Sequence, residues 1–144
     1  MLLISACLLG CACRYDGKSK PHPLAVELAR RGLAVPVCPE QLGGLPTPRK
    51  PSERQGGRVV MADGRDVTAE YRRGAEEALS LLEFFHAEGA VLKERSPSCG
   101  KGVIYDGSFS GALTEGDGVF AQLLRERGVP VYGESEIPGL LGKA

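Results

Sequence analysis

The sequence predicts an α/β, Rossmann-like three-layer fold with a mostly parallel sheet, plus a small β-hairpin. Four short apolar runs, at 2–6, 33–37, 90–93 and 129–132, are nearly continuous rather than alternating, as strands buried on both faces are. Amphipathic helical patterns separate them. The resulting order, strand and helix in strict alternation, is that of right-handed crossovers in a doubly wound sheet.

The elements follow in order. The run at 2–6 lacks a basic flank and is cut by Gly10, so it reads as a buried strand rather than a leader. PLAVELARR, 23–31, begins with a proline suited to a first helical turn and stops at Gly32. In RVVMADGRDVT, 58–68, an Asp-Gly turn between β-branched residues predicts a hairpin. Residues 66–88 form the longest helical pattern, with Val67, Tyr71, Ala75, Ala78, Leu82 and Phe85 on one stripe and Gly89 at the end. GVFAQLLRER, 118–127, repeats the scheme and ends at Gly128. The Gly- and Pro-rich stretches 38–57 and 95–118 are long for connections, and loops of that length are usually functional.

At 144 residues the chain is expected to form a single domain, 1–144, that buries about two-thirds of the surface of its unfolded form. Lys plus Arg (18) equals Asp plus Glu (18), so no bulk field draws it to nucleic acid or an anionic membrane. No stretch approaches the ~18 apolar residues of a membrane span, and a cytoplasmic location is expected. Five cysteines, an odd number in a reducing compartment, favour metal or redox chemistry over structural disulfides.

The reactive residues fall where the predicted strands end. Cys7, Cys11 and Cys13 follow the first strand, Cys38 and Glu40 the second, Ser96, Ser98 and Cys99 the third, and Glu134 the fourth. Open α/β sheets bind ligands outside the carboxyl ends of their strands, so topology directs every cysteine to one rim. Thiolates suit zinc, cuprous copper or iron–sulfur clusters. The spacing C-x3-C-x-C followed by two isolated cysteines lacks the paired knuckles of structural zinc and fits a cluster better. His22 and His86, at helix ends, are poor additional ligands. Cys11 reads as a spectator beside Cys13, and Cys38 is open to reading as an inert thiol before Pro39. Glu40 is open to reading as a solvated carboxylate or a general acid/base, and Ser96-Pro97-Ser98 as a turn or part of a site. The segment 14–18 reads as a polar turn or a substrate-facing loop. A structural zinc or iron–sulfur binding or regulatory protein without catalysis is the alternative. A thiol redox protein and a non-catalytic RNA binder have less support, since C-x-x-C is absent and aromatics are sparse.

ISACLLG at 4–10, CRYDG at 13–17, CPEQLGGLPTPR at 38–49, LKERSPSCG at 92–100 and IYDGSFSG at 104–111 closely resemble the thiouracil desulfidase family. The resemblance runs from the first strand to the last. It implies a [4Fe–4S] cluster held by only three cysteines, one iron remaining open, and removal of sulfur from thiouracil as hydrosulfide without net redox change. Carried over by motif, Cys7, Cys13 and Cys99 would be the ligands, Cys38 a reserve ligand, and Glu40 and Ser96 catalytic. The chain is expected to lack the additional domain of some relatives. The implied substrates are thus thiolated pyrimidines as the base, nucleotide or tRNA, with no stable protein partner expected.

Overall fold

The computed structural model describes residues 1–141. Strand β1 (Leu2–Ser5) leads through a 3-10 turn, Ala6–Leu9, to helix α1 (Pro23–Arg30) and strand β2 (Ala34–Val37). A short helix α2 (Pro39–Leu42) precedes β3 (Ser52–Gln55), β4 (Arg58–Met61) and the long helix α3 (Thr68–Phe84). Then come β5 (Gly89–Leu92), β6 (Val103–Tyr105), β7 (Leu113–Glu115), α4 (Val119–Glu126) and β8 (Val131–Gly133). A second 3-10 turn, Glu134–Glu136, leads to α5 (Ile137–Leu141).

The four apolar runs form one parallel sheet in the order β2-β1-β5-β8. Alternate side chains leave opposite faces of a strand, and both faces here are covered. Leu3, Ala90 and Leu92 pack against Ala78 and Leu82 of α3 and Phe120 and Leu124 of α4. Ile4 and Val91 pack against Ala25 and Leu28 of α1 and Ile137 of α5. This is the predicted three-layer arrangement, and each fully buried Leu, Ile or Phe contributes about 1.5–3 kcal/mol relative to exposure.

The chain runs from β1 outward to β2, then crosses back to β5 on the other side of β1. The strand order therefore reverses between β1 and β5, and a crevice opens at their carboxyl ends. There the Ser5 hydroxyl accepts from the Lys93 backbone N–H at 2.9 Å, tying the two strand ends together.

Three local expectations need correction. The hairpin before the long helix pairs β3 with β4 across Gly56-Gly57, and the Asp63-Gly64 turn adds only one bridge, Val60 with Asp66. Helix α3 is shorter than 66–88. Asp66 accepts the Thr68 N–H (2.9 Å) ahead of its first turn, and His86 at φ +53 ends it. Phe85 consequently falls off the apolar stripe and is half exposed. The stretch 95–118 also contains an antiparallel hairpin, β6 with β7, that the sequence did not announce.

Candidate functional site

Three loops leaving the carboxyl ends of β1, β2 and β5 build the site. After β1, Cys7 lies in the 3-10 turn Ala6–Leu9, which Gly10 closes at φ +99, a conformation glycine adopts without a Cβ clash. The Cys7 carbonyl accepts from the Lys20 N–H (2.9 Å) and the Leu8 carbonyl from the His22 N–H (2.9 Å), so the chain doubles back on the turn. His22 caps α1, its Nδ1 accepting from the Leu24 N–H at 3.3 Å. Cys13 sits in irregular chain between these contacts. Its carbonyl is held by the Arg49 guanidinium at 2.9 Å.

At the end of β2, Cys38 occupies the N-cap of α2, Pro39 takes the first helical position, and Glu40 lies in the first turn. Helix α2 rests on α3 backbone to backbone. A Cβ on Gly43 would overlap the Glu70 carbonyl, and one on Gly74 the Pro39 carbonyl. That close approach lets the Tyr71 hydroxyl donate to Glu40 Oε1 at 2.7 Å. Arg49 Nε donates to the same oxygen at 3.2 Å, its side chain only 2% exposed.

Beyond β5, Ser96 Oγ accepts the N–H groups of Ser98 and Cys99, both at 3.1 Å. The first N–H groups of a helix have no partner within it. Here Val119 donates to the Pro97 carbonyl (2.8 Å) and Phe120 to the Ser98 carbonyl (2.9 Å), while Gly118 just before the helix donates to Gly100 (2.7 Å). The start of α4 thus clamps the Cys99 loop.

These loops surround one cavity of about 270 Å³, lined by Cys7, Cys13, Cys38, Cys99, Glu40 and Ser96 among others. All six residues that the sequence singled out as ligands, reserve ligand or catalytic groups meet there. Cys11 does not line it and is exposed. Glu134 is also outside, accepting from the Glu94 N–H (2.6 Å) and pairing with Lys93 (3.2 Å). Arg14 and Tyr15 of the polar segment 14–18 do line the cavity. Arg49, Ser52, Glu53, Tyr71, Lys93 and Tyr105 were not anticipated as lining residues.

Three of the thiols, Cys13, Cys38 and Cys99, are held protonated by their surroundings. Burial pushes Cys99 up to about 12, although the Ser5 and Ser98 hydroxyls pull it the other way. For Cys13 the hydrogen bond with Cys38 lowers the value, but Cys7 and burial outweigh it and leave it at about 11. Cys38 is raised by its hydrogen bond with Cys13 and by burial. Crowded buried thiols of this kind become thiolates when a cationic group neutralises them, and loading such a site releases protons.

The donor set fits an iron–sulfur cluster. Four free thiols from three separate loops face one cavity, the soft donor set such a cluster takes. Tetrahedral zinc needs donors about 2.0–2.3 Å from one point. Among the described residues no three His, Cys, Asp or Glu side chains converge on a single ion in that way. Nor is any helix among them long and apolar enough to cross a membrane.

Comparison with known proteins agrees with this chemistry. The model of the 2-thiouracil desulfurase family matches residues 2–136. The chain is 42% identical over 151 residues to the uncharacterized protein YbbK of Bacillus subtilis (strain 168), covering 98% of this chain and all of that one. It is 49% identical to a solved [4Fe–4S]-dependent thiouracil desulfidase, TudS. The likeness covers 97% of this chain and 94% of that one, with a TM-score of 0.92.

Proposed function

The chain belongs to the 2-thiouracil desulfurase family, and we propose from that premise how its own residues remove sulfur. The enzyme is a [4Fe–4S]-dependent thiouracil desulfidase. In the proposed assignment Cys7, Cys13 and Cys99 hold the cluster, Glu40 carries the proton and Ser96 orients the ring. When bound, the cluster supplies an iron with a free coordination position, a Lewis acid matched to a soft thiocarbonyl sulfur.

The balance is hydrolytic. Water oxygen bonds to the ring carbon, the carbon–sulfur bond breaks, and the water protons end on sulfur or in solvent as hydrosulfide forms. No electron is gained or lost. Glu40 accepts the proton of the attacking water and returns it to the leaving sulfur. Ser96 Oγ already receives two backbone N–H groups, which occupy its two lone pairs. Its hydroxyl proton is therefore free to be donated, which supports a hydrogen-bonding role toward the ring rather than a proton relay.

The single observation that carries the assignment is the meeting of Cys7, Cys13, Cys99, Glu40 and Ser96 on one cavity from three separate loops. Its test is Glu40→Gln: the variant keeps its brown cluster but loses hydrosulfide release about 100-fold or more, the usual worth of a general acid/base. Unchanged turnover removes Glu40 from the mechanism.

Thiolated nucleotide or tRNA is the finer substrate reading. Exposed Tyr15 lines the cavity, with the Arg14 guanidinium 5.8 Å from its ring centre. A stacking surface beside a cation suits a base that carries ribose and phosphate. Hydrosulfide release from thiouracil, thiouridine monophosphate and thiolated tRNA, compared at equal concentration, separates these substrates.

A further inference from the structure

Glu40 is held in an unsymmetrical way. Both donors that reach it, the Tyr71 hydroxyl at 2.7 Å and Arg49 Nε at 3.2 Å, bond to Oε1. Among the described residues no hydrogen bond reaches Oε2, and Glu40 lines the cavity. Arg49 does more than pair with it. Its NH1 group donates to the Pro46 carbonyl (3.1 Å) and to Thr47 Oγ1 (3.0 Å), and its NH2 group to the Cys13 carbonyl (2.9 Å). Its own backbone N–H donates to the Tyr15 carbonyl at 2.8 Å. One planar, buried fork therefore joins the loop bearing Cys13 to the helix bearing Glu40.

We propose that Tyr71 and Arg49 are positioning residues that fix Glu40 through Oε1, leave Oε2 as the oxygen that exchanges the proton, and that Arg49 also secures the Cys13 loop. The proposal rests on Glu40 being the proton carrier. Tyr71 suits the task because its ring is 1% exposed and packed among Leu45, Val59, Met61 and Val67, which fixes the position of its hydroxyl oxygen beside Glu40. Burial, with the nearby Glu40 charge, also holds its phenol well above the usual range, so it remains a donor. Arg49 suits its task because a lysine ammonium is a point charge that cannot span both the carboxylate and the Cys13 carbonyl in one plane.

The two residues divide in a testable way, since the Tyr71 hydroxyl donates to Glu40 and to no part of the Cys13 loop, whereas Arg49 reaches both. Holoenzyme carrying Tyr71→Phe is expected to lose about tenfold or more in kcat per cluster, the worth of one hydrogen bond to a charged group. Its KM and the rate at which a chelator strips its iron stay at wild-type values. Arg49→Lys is expected to lower kcat per cluster similarly and also to speed iron loss to the chelator several-fold. In the Glu40→Gln background, Tyr71→Phe adds no more than about twofold, because its effect passes through Glu40.

Full kcat per cluster in Tyr71→Phe, with Glu40→Gln inactive, overturns the positioning role and leaves Glu40 as the proton carrier. Full turnover in Glu40→Gln instead overturns the reading on which the proposal rests. Wild-type iron retention in Arg49→Lys removes the link to the Cys13 loop. Should Arg49→Lys fail to fold, Tyr71→Phe, whose lost hydroxyl holds no cysteine loop, decides the positioning of Glu40.

Discussion

Cys99 and Cys13 reach the same cavity with nearly the same burial, 5% and 6% exposed, but on arms held by different means. The Cys99 arm is locked by backbone. Carbonyls of Pro97, Ser98 and Gly100 receive N–H groups from Gly118 and the first turn of α4, and Gly118 packs directly on the Ser98–Cys99 peptide. The Cys13 arm lies in irregular chain, and its carbonyl is held from afar by side chains, by the Arg49 guanidinium at 2.9 Å and weakly by the Cys38 sulfur at 4.0 Å. A helix start presents several backbone donors at once, whereas the Cys13 carbonyl relies on the one guanidinium that also holds Glu40. The rim thus combines a rigid jaw that is part of the fold with a second jaw whose position is coupled to Glu40.

The strongest way to break the rigid jaw is Gly118→Ala. A Cβ there would stand 2.7 Å from the Cys99 backbone nitrogen and overlap the Ser98 carbonyl, neighbours that are backbone and cannot swing aside. Overpacking of this kind costs about 1–3 kcal/mol. The variant is expected to unfold at lower urea and to carry several-fold less iron and sulfide per chain after reconstitution. Wild-type cluster content in Gly118→Ala would mean that the helix start does not position Cys99.

Much of this division was legible in the sequence, for reasons that differ between the jaws. The four strands were visible because parallel strands covered on both faces leave continuous apolar runs, and a cysteine soon after such a run is placed at the rim by topology. Cys7, Cys38 and Cys99 were located in that way. The β6–β7 hairpin was not visible: its strands are three residues each, and Val103, Tyr105 and all of β7 are exposed, so no burial pattern marks them. Tyr71 sat in register with the apolar stripe of α3, and that register concealed its polar end. Arg49 reaches Glu40 across 9 residues and Cys13 across 36, through irregular chain whose path no periodicity records.

A smaller effect is expected of Cys38→Ser. Cys38 lines the cavity, but its sulfur reaches the Cys13 carbonyl only at 4.0 Å, a weak contact. With Cys7, Cys13 and Cys99 as ligands, the variant retains its brown cluster and loses about 1 kcal/mol of stability or less. Iron and sulfide analysis checks it. Loss of the cluster would put Cys38 into the ligand set and would place a ligand on α2 itself, next to Glu40, giving the rim a third arm that the two-jaw picture lacks.

The most delicate comparison needs no substitution. In apoprotein labelled with iodoacetamide under native conditions, exposed Cys11 reacts first. Cys13 follows and Cys99 comes last, although both are buried to the same degree. The thiolate is the reacting form, and both thiols are held above the usual range, so both rates increase from pH 7 to 9. A buried thiol reacts when its arm opens, so the ratio of the two rates reports the difference in opening free energy between the arms. Opening the Cys13 arm requires release of the Arg49 guanidinium and of the weak Cys38 sulfur contact, whereas opening the Cys99 arm requires Gly118 and the first turn of α4 to let go of three carbonyls. Cys13 is therefore expected to react several-fold faster than Cys99 at every pH. Equal rates would show that the side-chain strut holds its cysteine as firmly as the helix start does.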